Sequence, residues 1–185
     1  WNSPRLFNKL IASLDHRGMR LFAPHLPHQL GSISIRNLAE EFNRQVLCEF
    51  GEDTPIDLLG FSMGGLIGRL WLQQMDGAKR TRRFISVGSP HRGTLIAQLI
   101  PSWFLTGVAE MKRGSKFIEE LEEGIEFLKL VDCISYFCPL DLMVVPSWQA
   151  VLPVGPSYPL PVLTHKGLVL NSHAIAVLLK SLLKD

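Results

Sequence analysis

The run Gly60-Phe61-Ser62-Met63-Gly64 limits the possible folds of this chain more than any other feature, because of what lies on either side of it. The short, mostly apolar run Ile56 to Leu59 precedes it, and the helical pattern Leu66 to Gln74 follows. The chain must therefore pass from a strand into a helix within a few residues, with Ser62 at the apex. Glycine two places on either side of the serine spares such a turn Cβ clashes, and Gly65 adds a further small residue at the start of the helix.

The rest of the sequence repeats this alternation. Ser3-Pro4 reads as a helix start, with Leu6, Phe7, Leu10, Ile11 and Leu14 on one face before Gly18. Met19 to Ala23 reads as a buried strand entering a loop at Pro24 and Pro27. Leu38, Phe42, Val46 and Phe50 recur at helical spacing from about Ile35 to Phe50, and Gly51 suits a C-cap. Further strands are predicted at Phe84 to Val87, Ile134 to Phe137 and Pro161 to Thr164, the last before a helix carrying Ala174, Ile175, Leu178, Leu179 and Leu182. Alternating strands and amphipathic helices imply an α/β fold whose mostly parallel sheet is covered by helices on both faces. The long span of about 95–131 is the irregular part and predicts a small cap. In it Ser115 is placed to cap a helix bearing Phe117, Ile118, Leu121, Ile125 and Leu128. A crossover helix packed into the core is the alternative reading of that span.

At 185 residues and 46% hydrophobic content the chain suits a single domain spanning 1–185. Its 19 basic and 17 acidic residues give a net charge of +2, with no basic run longer than Lys79-Arg80 plus Arg82-Arg83, so nothing points to nucleic acid. Cys48, Cys133 and Cys138 are odd in number, and the latter two read as lying on opposite faces of one strand, which favours buried free thiols over disulfides. No stretch approaches the roughly 18 to 20 uninterrupted apolar residues of a membrane helix. The first residue is Trp1, so any signal peptide would precede the sequence, and a cytoplasmic location is the default expectation.

A serine raised on a strand-to-helix turn becomes a nucleophile when a base takes its proton and a carboxylate orients that base. His165, after the predicted strand Pro161 to Thr164, is the preferred base; His173, at or inside the last helix, is its rival. Asp141 follows the Ile134 to Phe137 strand, where a sheet of this kind gathers site residues at its carboxyl edge. The N–H of Met63, at the start of the helix after Ser62, is placed to stabilise an oxyanion.

Gly60 to Gly65, followed by Ser89-Pro90-His91-Arg92-Gly93-Thr94, resembles the lipase-like branch of the α/β-hydrolase fold, including bacterial triacylglycerol lipases and related esterases. The resemblance continues through the acid loop Asp141-Leu142-Met143-Val144-Val145-Pro146 and a final histidine before the closing helix. It implies the order Ser62, Asp141, His165 for the triad, and a bracing rather than catalytic role for His91. It also exposes a departure. The family's strand before the first helix, whose loop supplies a second oxyanion N–H, has no counterpart here, so the N-terminal strands are expected to be lacking. By the family's strand order, Met19 to Ala23 and Ile56 to Leu59 should then lie roughly two strand spacings apart, about 9–10 Å, across an unfilled slot.

These readings predict a serine hydrolase that cleaves carboxylic esters through an acyl-enzyme. A small-molecule ester or lipid-like substrate would be held by Phe61, Trp103 and Phe104, with no cofactor and no metal. The apolar tract Ile100 to Leu105, with Trp148, Leu152 and Val154, favours an apolar acyl group. The alternatives are a thioesterase, amidase or acyltransferase on the same scaffold, or a non-catalytic relative that only binds. Oligomeric state is not legible.

Overall fold

A computed structural model of the chain describes residues 4–15, 19–27, 29–101 and 105–184. After a 3-10 turn at Pro4–Phe7 come α1 (Asn8–Asp15), α2 (Ile35–Phe50), β1 (Ile56–Phe61), α3 (Met63–Gln74), β2 (Thr81–Val87), α4 (Leu95–Gln98), α5 (Thr106–Glu110), α6 (Lys116–Glu123), α7 (Ile125–Leu128), β3 (Asp132–Phe137), β4 (Ser157–Pro159), α8 (Gly167–Leu170) and α9 (Ser172–Leu182). The strands form one sheet in the order β1-β2-β3-β4, and each neighbouring pair is parallel.

Strand alternation builds two cores. Phe84 and Cys133 point to one face, where they meet Leu38, Phe42 and Val46 of α2, Leu66, Leu70 and Trp71 of α3, and Phe117 and Leu121 of α6. Ile85, Val87, Ile134 and Tyr136 point to the other, against Leu10 and Leu14 of α1, Leu168 of α8, and Ala174, Ile175 and Leu178 of α9. Cys133 and Cys138 thus lie in opposite cores as buried free thiols, whereas Cys48 is an exposed thiol. The last corrects the expectation that all three are buried: position 48 lies between the buried Val46 of α2 and its exposed face.

The helix ends are set by local chemistry. Ser34 Oγ accepts the Asn37 N–H at 3.1 Å, and Gly51, at φ 71°, donates its N–H to Leu47 O, which bounds α2 at both ends. Such a cap contributes about 1 kcal/mol. Ser115 Oγ likewise accepts the Ile118 N–H at 3.2 Å. The single helix expected after it is broken at Gly124 into α6 and α7, both of which still bury their apolar face.

Two predicted strands are not found. Met19 to Ala23 has no regular structure, because no neighbouring strand takes up its backbone groups. The last strand is Ser157–Pro159 rather than Pro161 to Thr164. The ladder ends where Leu160 donates to Phe137 O, since Pro161 has no N–H to extend it. β1 is consequently an edge strand. A cavity of about 1020 Å³ lies along it, lined by Ile56 to Phe61 on one side and by Met19, Leu21, Phe22 and Ala23 on the other. The two segments expected to flank an unfilled slot do not pair with each other. No helix among the described residues is long and apolar enough to cross a membrane.

Candidate active site

Ser62 stands between β1 and α3 with φ 55° and ψ −128°, a left-handed conformation that a residue with a Cβ rarely adopts. Its N–H donates to Val87 O at 2.9 Å, which continues the β1–β2 ladder through the turn, while its hydroxyl makes no capping bond to α3. The turn is held tight by Gly60 and Gly65. A Cβ on Gly60 would stand 2.6 Å from Gly65 Cα, and one on Gly65 would stand 1.9 Å from Ser89 Oγ. Gly64 is not needed for this reason, since a Cβ there meets nothing within 4 Å. The expectation that glycines on both sides of the serine relieve clashes therefore holds for Gly60 but passes from Gly64 to Gly65.

Asp141 and His165 are brought together. His165 Nδ1 lies 2.7 Å from Asp141 Oδ2, and Asp141 Oδ1 accepts the N–H groups of Met143 at 2.8 Å and Val144 at 3.2 Å. Both oxygens of the buried carboxylate are thus fixed. A Nδ1–H donated to Asp141 leaves His165 Nε2 as the basic nitrogen, and that atom is buried without a hydrogen-bond partner among the described residues. The imidazole lies against Phe61, ring centroids 4.7 Å apart, and is backed by Gly88, whose added Cβ would stand 3.1 Å from its Cε1. Ser62, Met63, Phe61 and His165 line the same cavity. Met63 is the first residue of α3, so its N–H has no partner within the helix. His173 is an exposed residue in the first turn of α9, held by Asn171, and does not line the cavity.

The S-P-H-R-G-T turn connects these parts. His91 is fully buried, with Nε2 2.6 Å from Ser86 Oγ. Burial first, and the nearby Arg69 charge second, hold its pKa well below the usual 6.5, so the ring is neutral. Thr94 Oγ1 accepts the Val145 N–H at 2.9 Å and donates to Met143 O at 3.0 Å, which ties the turn to the acid loop. Arg69, fully buried on α3, donates to His91 O, to Leu121 O, and to the Glu122 carboxylate at 3.0 Å. Beyond the place of Thr94 in the S-P-H-R-G-T turn, the sequence assigns Thr94, Gly88 and Arg69 no role. A lone arginine between Gly68 and Leu70 in an otherwise uncharged helix was the available signal for the last.

Of the expected substrate-contacting residues, Phe61 lines the cavity, while Trp103 and Phe104 lie outside the described residues. Ile96, Ala97, Ile100, Leu105, Val108 and Met111 from the 95–131 span also line it. Trp148, Leu152 and Val154 do not: Trp148 is exposed, and the other two pack into the α2–α3 core. Three potential metal ligands do not come together anywhere among the described residues.

The model of the palmitoyl protein thioesterase family matches residues 28–146, a span that contains Ser62, the S-P-H turn and Asp141. The chain belongs to that family. Among solved structures, this palmitoyl protein thioesterase family member is similar to Aspergillus fumigatus lipase B, with TM-score 0.79 and 18% identity over 97% of this chain and 49% of the lipase. It is also similar to a Bacillus licheniformis lipase in its propeptide form, with TM-score 0.63 and 14% identity over 83% of this chain and 42% of that one. A lipase-esterase related protein from Clostridium acetobutylicum gives TM-score 0.58 and 15% identity over 97% of this chain and 89% of that one. These likenesses establish the α/β-hydrolase fold. The chain spans about half the length of the first two lipases. No curated protein sequence matches it.

Proposed function

We propose that the protein is a serine hydrolase that cleaves an ester or thioester of an apolar acyl group through an acyl-enzyme. The observation that carries this reading is the pairing of His165 Nδ1 with Asp141 at 2.7 Å, which leaves Nε2 without a partner among the described residues, on an imidazole that lines the same cavity as Ser62. Ser62 Oγ attacks the acyl carbonyl carbon as His165 Nε2 takes its proton, and Asp141 stabilises the resulting imidazolium. The tetrahedral oxyanion sits at the N-terminus of α3, where the Met63 N–H donates to it. Collapse expels the alcohol or thiol, which takes the proton back from His165 and leaves Ser62 acylated. Water then attacks the acyl carbonyl, again giving a proton to His165, and the acid departs as that proton returns to Ser62. Phe61 holds the imidazole and lines the acyl site. Residues 95–131 act as the cap, because Ile96, Ala97, Ile100, Leu105, Val108 and Met111 line the cavity; Trp103 and Phe104 of the same span are assigned to the acyl group on sequence alone.

The carboxylic ester is the first reading, on the apolar cavity. The thioester is the second, and the family match over 28–146 favours it. Both are tested with the purified full-length protein on 4-nitrophenyl esters of increasing acyl length and on a long-chain acyl thioester. Turnover that rises with acyl length on either substrate, and falls by roughly a thousandfold or more in Ser62→Ala, is the expected result. Turnover of neither substrate, or turnover unchanged in the variant, contradicts it.

A further inference from the structure

Helix α4 separates two depressions of opposite character. Ile96 and Ala97 line the apolar cavity, whereas Leu95 and Gln98 line a second, shallow pocket with Arg92, Arg113, Gly114 and Gln149. The backbone under this pocket is fixed. Gly93, at φ 77°, packs so closely that a Cβ there would stand 2.6 Å from Arg113 N. Gln98 Nε2 donates to Arg113 O at 3.2 Å, and the Arg92 N–H donates to Gln149 O at 3.3 Å. Two residues distant in sequence, Arg92 and Arg113, are thereby brought to one rim.

Their guanidinium groups are set apart from those of the other arginines. Each of the others whose side chain is described, from Arg20 to Arg83, bonds a carboxylate or a backbone carbonyl. Among the described residues, Arg92 and Arg113 have neither, and both line the same pocket. No carboxylate among the described residues lines it. Two unpaired guanidinium forks beside carboxamides are suited to a tetrahedral oxyanion, which accepts several N–H bonds at once.

We propose that Arg92 and Arg113, with Gln98 and Gln149, form a phosphate-binding subsite beside the acyl cavity. It takes a phosphate group, either of a lipid headgroup or of a soluble phosphate ester, and it does not depend on the catalytic reading of Ser62. The test uses the full-length protein and the Arg92→Gln/Arg113→Gln double variant, with thermal melting to check that the variant is folded. Both arginines are exposed, so the fold is expected to be retained. One arm titrates inorganic phosphate and glycerol phosphate by calorimetry. The other measures cosedimentation with phosphatidylglycerol vesicles. Binding in the first arm that weakens roughly tenfold or more in the variant supports the subsite with a soluble ligand; the same loss confined to the vesicle arm supports it with a headgroup. Turnover of a neutral, water-soluble ester is expected to be the same in both proteins. No binding in either arm, or equal binding by the folded variant, overturns the proposal.

Discussion

Thr94 Oγ1 accepts the N–H of Val145 at 2.9 Å, and through this bond the turn after β2 holds the loop that presents Asp141. The same hydroxyl donates to Met143 O at 3.0 Å, so one side chain satisfies two backbone groups of the acid loop. Thr94→Val keeps the shape and removes both bonds, together with the capping bond from the Ile96 N–H at 3.4 Å. The expected cost is about 1–3 kcal/mol in urea unfolding, with a lowered kcat as Asp141 loses its fixed position. A variant of unchanged stability would show that the loop is held by other contacts.

Arg69 has a wider reach. Its replacement by Met leaves the His91 carbonyl without its donor in a buried region and takes one of two donors from Leu121 O, which Gln73 Nε2 still reaches at 2.9 Å, while the partly exposed Glu122 returns to water. A loss of about 1–3 kcal/mol is expected by urea unfolding, from one buried acceptor left unsatisfied. Arg69→Lys should recover part of it, because an ammonium group reaches fewer of these acceptors.

The two glycines after Ser62 should respond in opposite ways. Gly65→Ala forces a Cβ to 1.9 Å from Ser89 Oγ and 2.5 Å from Ser89 Cβ, so the turn or Ser89 must move, at a cost of about 1–3 kcal/mol or more. Gly64→Ala meets no atom within 4 Å and lies in a helix, where alanine is better than glycine by about 0.5–1 kcal/mol. Melting temperatures of the two variants should therefore move apart.

The buried His91 predicts a pH dependence. Burial and Arg69 hold its folded pKa well below 6.5, whereas the unfolded chain binds the proton near 6.5. Above pH 6.5 both states are neutral there, and His91 adds no slope. As pH falls below 6.5 towards the folded pKa, unfolding takes up a proton, so stability falls by up to about 1.4 kcal/mol per pH unit. His91→Gln should flatten that fall without removing the contribution of other groups.

Thiol reactivity should separate the cysteines. Burial pushes the Cys133 thiol up to about 12 and raises that of Cys138, whereas Cys48 is exposed. Iodoacetamide should alkylate Cys48 in the native protein and reach the other two only on unfolding, as read by peptide mass spectrometry.

What the sequence made legible follows from where local and tertiary preferences agree. The α2 boundaries, Ile35 to Phe50, were readable because the apolar period ends at Gly51, whereas the cap at Ser34 was not singled out. The turn at Ser62 was readable because its glycines lie between a strand pattern and a helix pattern. Met19 to Ala23 was misread, since an apolar run becomes a strand only when another strand pairs with it. β4 was placed too late because Ser157–Pro159 is short, exposed and proline-bounded, and is defined by its register on β3 alone. Asp141 and His165 were named by position, but their 2.7 Å pairing is a tertiary fact between residues 24 apart. The contacts of Arg69 were out of reach for the same reason: two of its acceptors are backbone carbonyls, which leave no mark on sequence.

Reaction of the full-length protein with a fluorophosphonate probe tests most directly the proposal that Ser62 is a nucleophile activated by His165 and Asp141. One covalent adduct is expected, mapped to Ser62 by peptide mass spectrometry, absent in Ser62→Ala and slowed by orders of magnitude in His165→Ala and Asp141→Asn. An unlabelled wild-type protein, or labelling that persists at another residue when Ser62 is alanine, would contradict it.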